Sequence, residues 1–180
     1  EVCSSSAQNK YIAYDCDVKT SVASILNKGG ITKVSGSYAA FAAITPDGLI
    51  SWGRDVGGII PKGLDVTGKF ASLISGHDFF VALRDDGTAI TWKPNSMMAK
   101  ANAVLESTSW SSIYTNAHAA VAVAANGNRT YAFGNSNQGG AIPESKLPLI
   151  QSGIKVIAST VYTFAALVDD VLVIWGQYRM

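Results

Sequence analysis

The chain has 180 residues, 48% of them hydrophobic and only 15% charged, below the roughly 25% charged of a typical domain, which excludes a disordered chain and implies one domain with a large core. Fourteen basic and thirteen acidic residues leave a net charge of +1, which removes the general electrostatic reason to expect nucleic acid as a partner. Mean hydropathy is +0.19, yet no apolar run approaches the roughly 18 residues of a spanning helix, so no membrane insertion is expected.

From the N-terminus, Glu1 opens the chain without a start methionine or a basic-then-apolar leader, which reads as a processed mature form or an excised piece. Cys3 and Cys16 lie thirteen positions apart with neither His77 nor His118 nearby, so a metal site is not expected there. Two readings stay open: a disulfide worth about 3 kcal/mol that implies an oxidising compartment, or two buried free thiols. Residues 1–30 read as a degenerate repeat, with Tyr11 to Tyr14 in the place of a buried strand and Asp15 to Asp17 at its turn.

Four clearer copies follow, at about 31–69, 70–109, 110–153 and 154–180. Each begins with a short alternating strand (Ile31 to Val34, Phe70 to Ile74) and a small or polar break at Gly36, Gly76, Asn116 or Ser159-Thr160. A more apolar strand comes next, FAAI at Phe41, FVAL at Phe80, AVAV at Ala120 and FAAL at Phe164, the pattern of a strand buried on both faces. Asp47-Gly48, Asp86-Gly87 and Asn126-Gly127 then favour tight hairpins into a third strand. Asp85-Asp86 and Asp169-Asp170 read as turn residues rather than as a carboxylate pair for acid–base chemistry. The third strand ends on Trp52, Trp92, Phe133 or Trp175, spaced by 40, 41 and 42 residues and read as core. Gly53, Gly134 and Gly176 follow the aromatic, while Lys93 breaks that rule. Two copies continue into Gly57-Gly58-Ile59-Ile60-Pro61 and Gly139-Gly140-Ala141-Ile142-Pro143.

A three- or four-stranded antiparallel unit cannot hide both faces alone, so such repeats stack, and stacking about an axis gives an all-β, propeller-like radial array of blades. A sandwich with coincidental spacing is the rival. The grammar of small break, buried strand, Asp-Gly turn, Trp-Gly and Gly-Gly-x-x-Pro resembles the regulator of chromosome condensation repeat, in the short bacterial form found in beta-lactamase inhibitory protein II. The resemblance covers Ile31 to Gly176 well and residues 1–30 weakly. It implies a seven-bladed ring, whereas four clear copies and one degenerate copy make an incomplete one: the chain is a piece of a longer protein, or pairs with another copy as a homo-oligomer, or closes with few blades.

Loops after the first and third strands emerge at one end and vary between copies, which is where recognition sits on a repetitive scaffold. The candidate partner-binding residues there are Tyr38, Arg54, His77, Asp78, His118, Asn137, Tyr162 and Arg179. The plainer reading of Tyr38 and Tyr162 is packing between blades, and of Arg54 and Arg179 an ordinary solvated charge. Two histidines without a third ligand make a poor zinc site. With no nucleophile elbow, phosphate-cradling glycine loop or metalloprotease helix, no enzyme, catalytic residue or cofactor is expected. The expected function is a non-enzymatic protein-binding module of a bacterial secreted or cell-surface protein. The alternatives are a carbohydrate-binding module using Asn135, Asn137 and Gln138, and, from the resemblance, a small-GTPase regulator.

Overall fold

In a computed structural model, residues 20–53, 58–93, 98–125 and 127–177 are described. Cys3, Cys16, Tyr11 to Tyr14, Arg54, Asn126 and Arg179 lie outside them. The described residues form four antiparallel three-stranded sheets, each from consecutive strands. Blade one is β1 (Lys33–Gly36), β2 (Ala40–Thr45) and β3 (Gly48–Gly53). Blade two is β4 (Phe70–Ser75), β5 (Phe80–Arg84) and β6 (Ala89–Trp92). Blade three is β7 (Ser112–Thr115), β8 (Ala119–Val123) and β9 (Thr130–Gly134). Blade four is β10 (Ile154–Ser159), β11 (Thr163–Val168) and β12 (Val171–Gly176). Helices α1 (Thr20–Leu26), α2 (Ala99–Glu106) and α3 (Leu147–Ile150) flank them. None of the described helices is long and apolar enough to cross a membrane.

Cross-strand register explains the core. Phe80 pairs with Trp92 and Ala82 with Ile90; these side chains form blade two's leading face and pack on the trailing face of blade one, made by Ala40, Ala42, Ile44 and Leu49. The opposite face of blade two, with Phe79, Val81, Leu83 and Ala89, packs on Ala120, Ala122 and Phe133 of blade three. Ala119, Val121 and Val123 then meet Phe164, Ala166, Val173 and Trp175 of blade four. A junction of this kind thus occurs three times, with a cross-strand Phe–Trp pair lying flat against the small residues of the facing middle strand in the first and third and Ala120–Phe133 in its place in the second.

The first strands of successive blades lie side by side, β1 against β4, β4 against β7 and β7 against β10. Hydroxyls lace them together. Ser75 Oγ donates to Gly36 O (2.7 Å), Thr115 Oγ1 to Ser75 O (2.8 Å) and Ser159 Oγ to Thr115 O (2.9 Å). Each bond reaches the carbonyl of the equivalent residue one repeat earlier, because Gly36, Ser75, Thr115 and Ser159 all stand opposite the first core position of the second strand.

The glycine after the aromatic has a steric cause. Gly134 has φ +107°, and a Cβ on it would lie 2.6 Å from His118 O; one on Gly140 would lie 2.5 Å from the carbonyl carbon of Gly134. Aromatic-Gly and Gly-Gly are thus two halves of one close-packed connection, the first glycine against the preceding loop and the second against the backbone of the first, repeated where a Cβ on Gly58 would meet Gly53 at 2.8 Å. Blade two has neither half. There Lys93 replaces the glycine, and α2 crosses the outer edge of β6, where the Asn102 amide accepts from Thr91 N (2.8 Å) and donates to Thr91 O (3.0 Å).

One sequence expectation is corrected. Trp52 is only half-buried, unlike Trp92, Phe133 and Trp175, because no blade covers the leading face of blade one among the described residues. In blade four Leu172 and Ile174 face out while Val173 is buried.

Candidate functional site

The loops between the first and second strands are built alike. Their opening residue donates its N–H to the carbonyl three residues on, Ser37 to Ala40 (2.8 Å), Gly76 to Phe79 (3.0 Å), Asn116 to Ala119 (2.9 Å) and Thr160 to Thr163 (3.0 Å). The residue type follows from this turn. Asn116 Oδ1 accepts from the N–H groups of His118 and Ala119 (2.8 and 2.7 Å), and Thr160 Oγ1 accepts from that of Thr163 (3.2 Å), the local bonding that suits Asn and Thr to turns. Gly76 cannot carry a side chain, since a Cβ there would fall 1.9 Å from the Phe79 ring.

Neighbouring loops also bond to each other. Tyr38 N donates to His77 O and His77 N to Ala117 O, both at 2.8 Å. This holds the loop tips at stacking distance, and one ring from each blade joins a continuous ladder. Tyr38 stacks on His77 (4.5 Å between centroids, 15° between planes), His77 on His118 (5.9 Å, 25°) and His118 on Tyr162 (5.5 Å, 2°). Tyr38, His77 and Tyr162 are exposed, Tyr38 by 71%, and His118 is half-buried.

Next to His77, Asp78 Oδ2 pairs with Lys93 Nζ at 2.8 Å, both side chains being mostly buried, while Asp78 Oδ1 is buried without a hydrogen-bond partner. The lysine that interrupts the Trp-Gly rule thus neutralises an aspartate found in no other loop tip. Burial pushes the His118 imidazole below its ordinary 6.5; the field of His77 and, more weakly, Lys93 acts the same way, against Asp78. Neutral His118 favours close approach to His77.

Of the residues singled out from sequence, Tyr38, His77, Asp78, His118 and Tyr162 come together here. Arg54 and Arg179 lie outside the described residues. Asn137 is exposed on the 3-10 turn Ser136–Gln138 at the same end, since Asn135 N bonds His118 O. The neighbouring amides serve the fold: Asn135 Oδ1 caps that turn through Asn137 N (3.1 Å), and Gln138 Nε2 donates to Gln177 Oε1 (3.4 Å) while the Gln138 backbone carbonyl accepts from Asn116 Nδ2 (2.7 Å). Among the described residues no three His, Cys, Asp or Glu side chains group to hold a metal. A cavity of about 270 Å³ at the outer edge of blade two, lined by Leu64, Trp92, Asn102 and Glu106 among others, was not foreseeable, because it depends on where α2 crosses β6.

At the opposite end, Asp86 Oδ1 accepts from Thr88 Oγ1 and Thr88 N (2.7 and 2.8 Å), and these bonds hold its carboxyl below the usual range. That carboxylate shapes the turn, as its place in the repeat suggested.

No protein-family model matches the chain. No curated protein sequence matches it either. Solved structures do resemble it: the CRINKLY WD40 ectodomain of the Arabidopsis thaliana receptor kinase ACR4 (TM-score 0.59, 12% identity, 83% of this chain and 54% of that one), human WBSCR16 (0.57, 15%, 81% and 47%), and Prp20p of Saccharomyces cerevisiae, described with its binding to Gsp1p and histones (0.55, 15%, 81% and 45%). The chain spans about half the length of each of these. With four stacked antiparallel blades, the likeness shows an all-β fold of the propeller type, similar to that of yeast RCC1 (Prp20).

Proposed function

We propose that this chain is a non-enzymatic protein-interaction module whose partner seats on the Tyr38–His77–His118–Tyr162 ladder. The observation that carries this reading is the ladder itself, four stacked rings, one per blade, on an exposed loop surface. Tyrosine and histidine rings offer broad apolar area with few rotatable bonds, and their polar edges bond to a partner's backbone. Stacking already fixes these rings, so little ordering entropy remains to be lost on binding. The binding of Prp20p to Gsp1p and histones supports the reading by analogy of fold alone. In this reading the chain serves a bacterial secreted or surface protein. Asn135 and Gln138, on which a carbohydrate reading relies, have side chains bonded within the fold, Asn135 Oδ1 to Asn137 N and Gln138 Nε2 to Gln177 Oε1.

The test compares proteins captured by the wild-type chain with those captured by the Tyr38→Ala/Tyr162→Ala variant, followed by titration of any partner found. The ends of the ladder should act as anchors, so the double variant should bind about 30-fold more weakly, roughly 2 kcal/mol. Unchanged affinity in a variant that keeps its far-UV spectrum would sink the assignment, and glycan-array hits with no captured protein would favour carbohydrate.

A further inference from the structure

The three internal blade junctions define what each face of a blade is made to meet, and the two outer faces carry the same parts with no blade over them among the described residues. On the leading side, Val34 occupies the position of Leu73 and Ile157, since the three stand opposite Ala43, Ala82 and Ala166. Leu73 and Ile157 are 1% and 6% exposed in their junctions, whereas Val34 is 54% exposed. The Phe41–Trp52 stack (5.6 Å) repeats Phe80–Trp92 (5.2 Å) and Phe164–Trp175 (5.5 Å); Phe80 and Phe164 are fully buried while Phe41 is exposed. Helix α1 packs against β3 and leaves Val34 and Phe41 open.

On the trailing side, Leu167 and Leu172 pair across blade four as Ile44 and Leu49 pair across blade one. Leu49 is 4% exposed against blade two, and Leu172 is 60% exposed. Val156, opposite Leu167, adds a third apolar side chain where the internal blades carry Lys33, Ser72 and Ser112. The inner three trailing positions are thus polar and the outermost one is valine, on the face no blade covers among the described residues.

We infer that the trailing face of blade four takes the leading face of blade one of a second copy, continuing the internal junction between chains. The occupant is set by the junction chemistry: the surface that meets an Ile–Leu trailing pair within the molecule is a Phe–Trp leading pair with an aliphatic residue on the first strand, and blade one carries that set with Val34 and Phe41 exposed and Trp52 half-buried. The contact is heterologous, so two copies close a ring if their rotation allows it and otherwise extend as a chain. It uses neither end of the ring ladder and is independent of the partner proposed there.

The test is solution mass over a micromolar concentration series for the wild-type chain, a trailing-face variant Leu172→Lys and a leading-face variant Val34→Lys, with Val156→Lys and Phe41→Lys as second substitutions should either first variant misfold. All four replace exposed side chains. The wild-type chain should associate to a dimer or larger, and each variant alone should associate about tenfold or more weakly. An equimolar mixture of the two should recover a 1:1 dimer that grows no further, because it keeps one intact junction. A wild-type monomer throughout, a variant that associates like the wild type, or a mixture that stays monomeric would each overturn the inference.

Discussion

His118 stacks between His77 and Tyr162, and its depressed imidazole couples the ladder to pH. Because the folded-state value lies below 6.5, the unfolded chain takes up the proton first as pH falls. The stability tied to neutral His118 is therefore full above about pH 7 and is lost as pH drops through 6.5 toward the depressed value. Urea denaturation at stepped pH should show the wild type losing stability across this window and His118→Phe losing less; equal slopes would show that His118 is not the group responsible. Gly140→Ala isolates a different force at this scale. Its new Cβ would lie 2.5 Å from the carbonyl carbon of Gly134, a backbone clash no rotamer relieves, and should cost about 2 kcal/mol or more, read as a lower denaturation midpoint at unchanged m-value.

Blade two shows how an element compensates for a missing motif. Without Gly-Gly to bring the connection close, the outer edge of β6 would leave Thr91, almost fully buried, with unpaired backbone groups, and Asn102 on α2 supplies both partners. Asn102→Ala should cost about 2 kcal/mol, since it strands a donor and an acceptor together. Asn102→Asp keeps the acceptor for Thr91 N but loses the donor to Thr91 O, so it should recover part of that loss at neutral pH. Thermal melts of the three proteins order the variants, and equal melting of Asn102→Ala and the wild type would show that water serves the edge as well.

Across the molecule, stability should rise from the outer blades to the inner ones. Blades two and three are covered on both faces, and β5, β6 and β8 are almost wholly buried, whereas β10 buries only Ile157 and β12 alternates between buried and exposed. Stacked repeats draw their stability from interfaces with their neighbours. Amide exchange, followed where the chain is monomeric, should be slowest in β5 and β8 and faster in β10 and β12. Uniform protection would mean that all four blades open as one unit.

Strand identity, hairpin turns and the aromatic at the end of each third strand were legible in the sequence, because they rest on contacts within a few residues: period-two burial, Asp-Gly dipeptides, and a glycine where a Cβ would strike the backbone. The half-burial of Trp52 was not, since its repeat position is that of Trp92 and Trp175 and only the absence of a covering blade among the described residues separates them. Tyr38, His77, His118 and Tyr162 could be placed at one end of the array by strand direction. That they form one ladder was decided by tertiary structure. Tyr38 and His77 hold the same loop position, while His118 and Tyr162 sit one residue later, so no aligned column contains all four. Hydrogen bonds between loop tips about 40 residues apart set the spacing at which rings stack. The Asp78–Lys93 pair likewise needed the fold, because it joins two loops that only the return of β5 and β6 brings side by side.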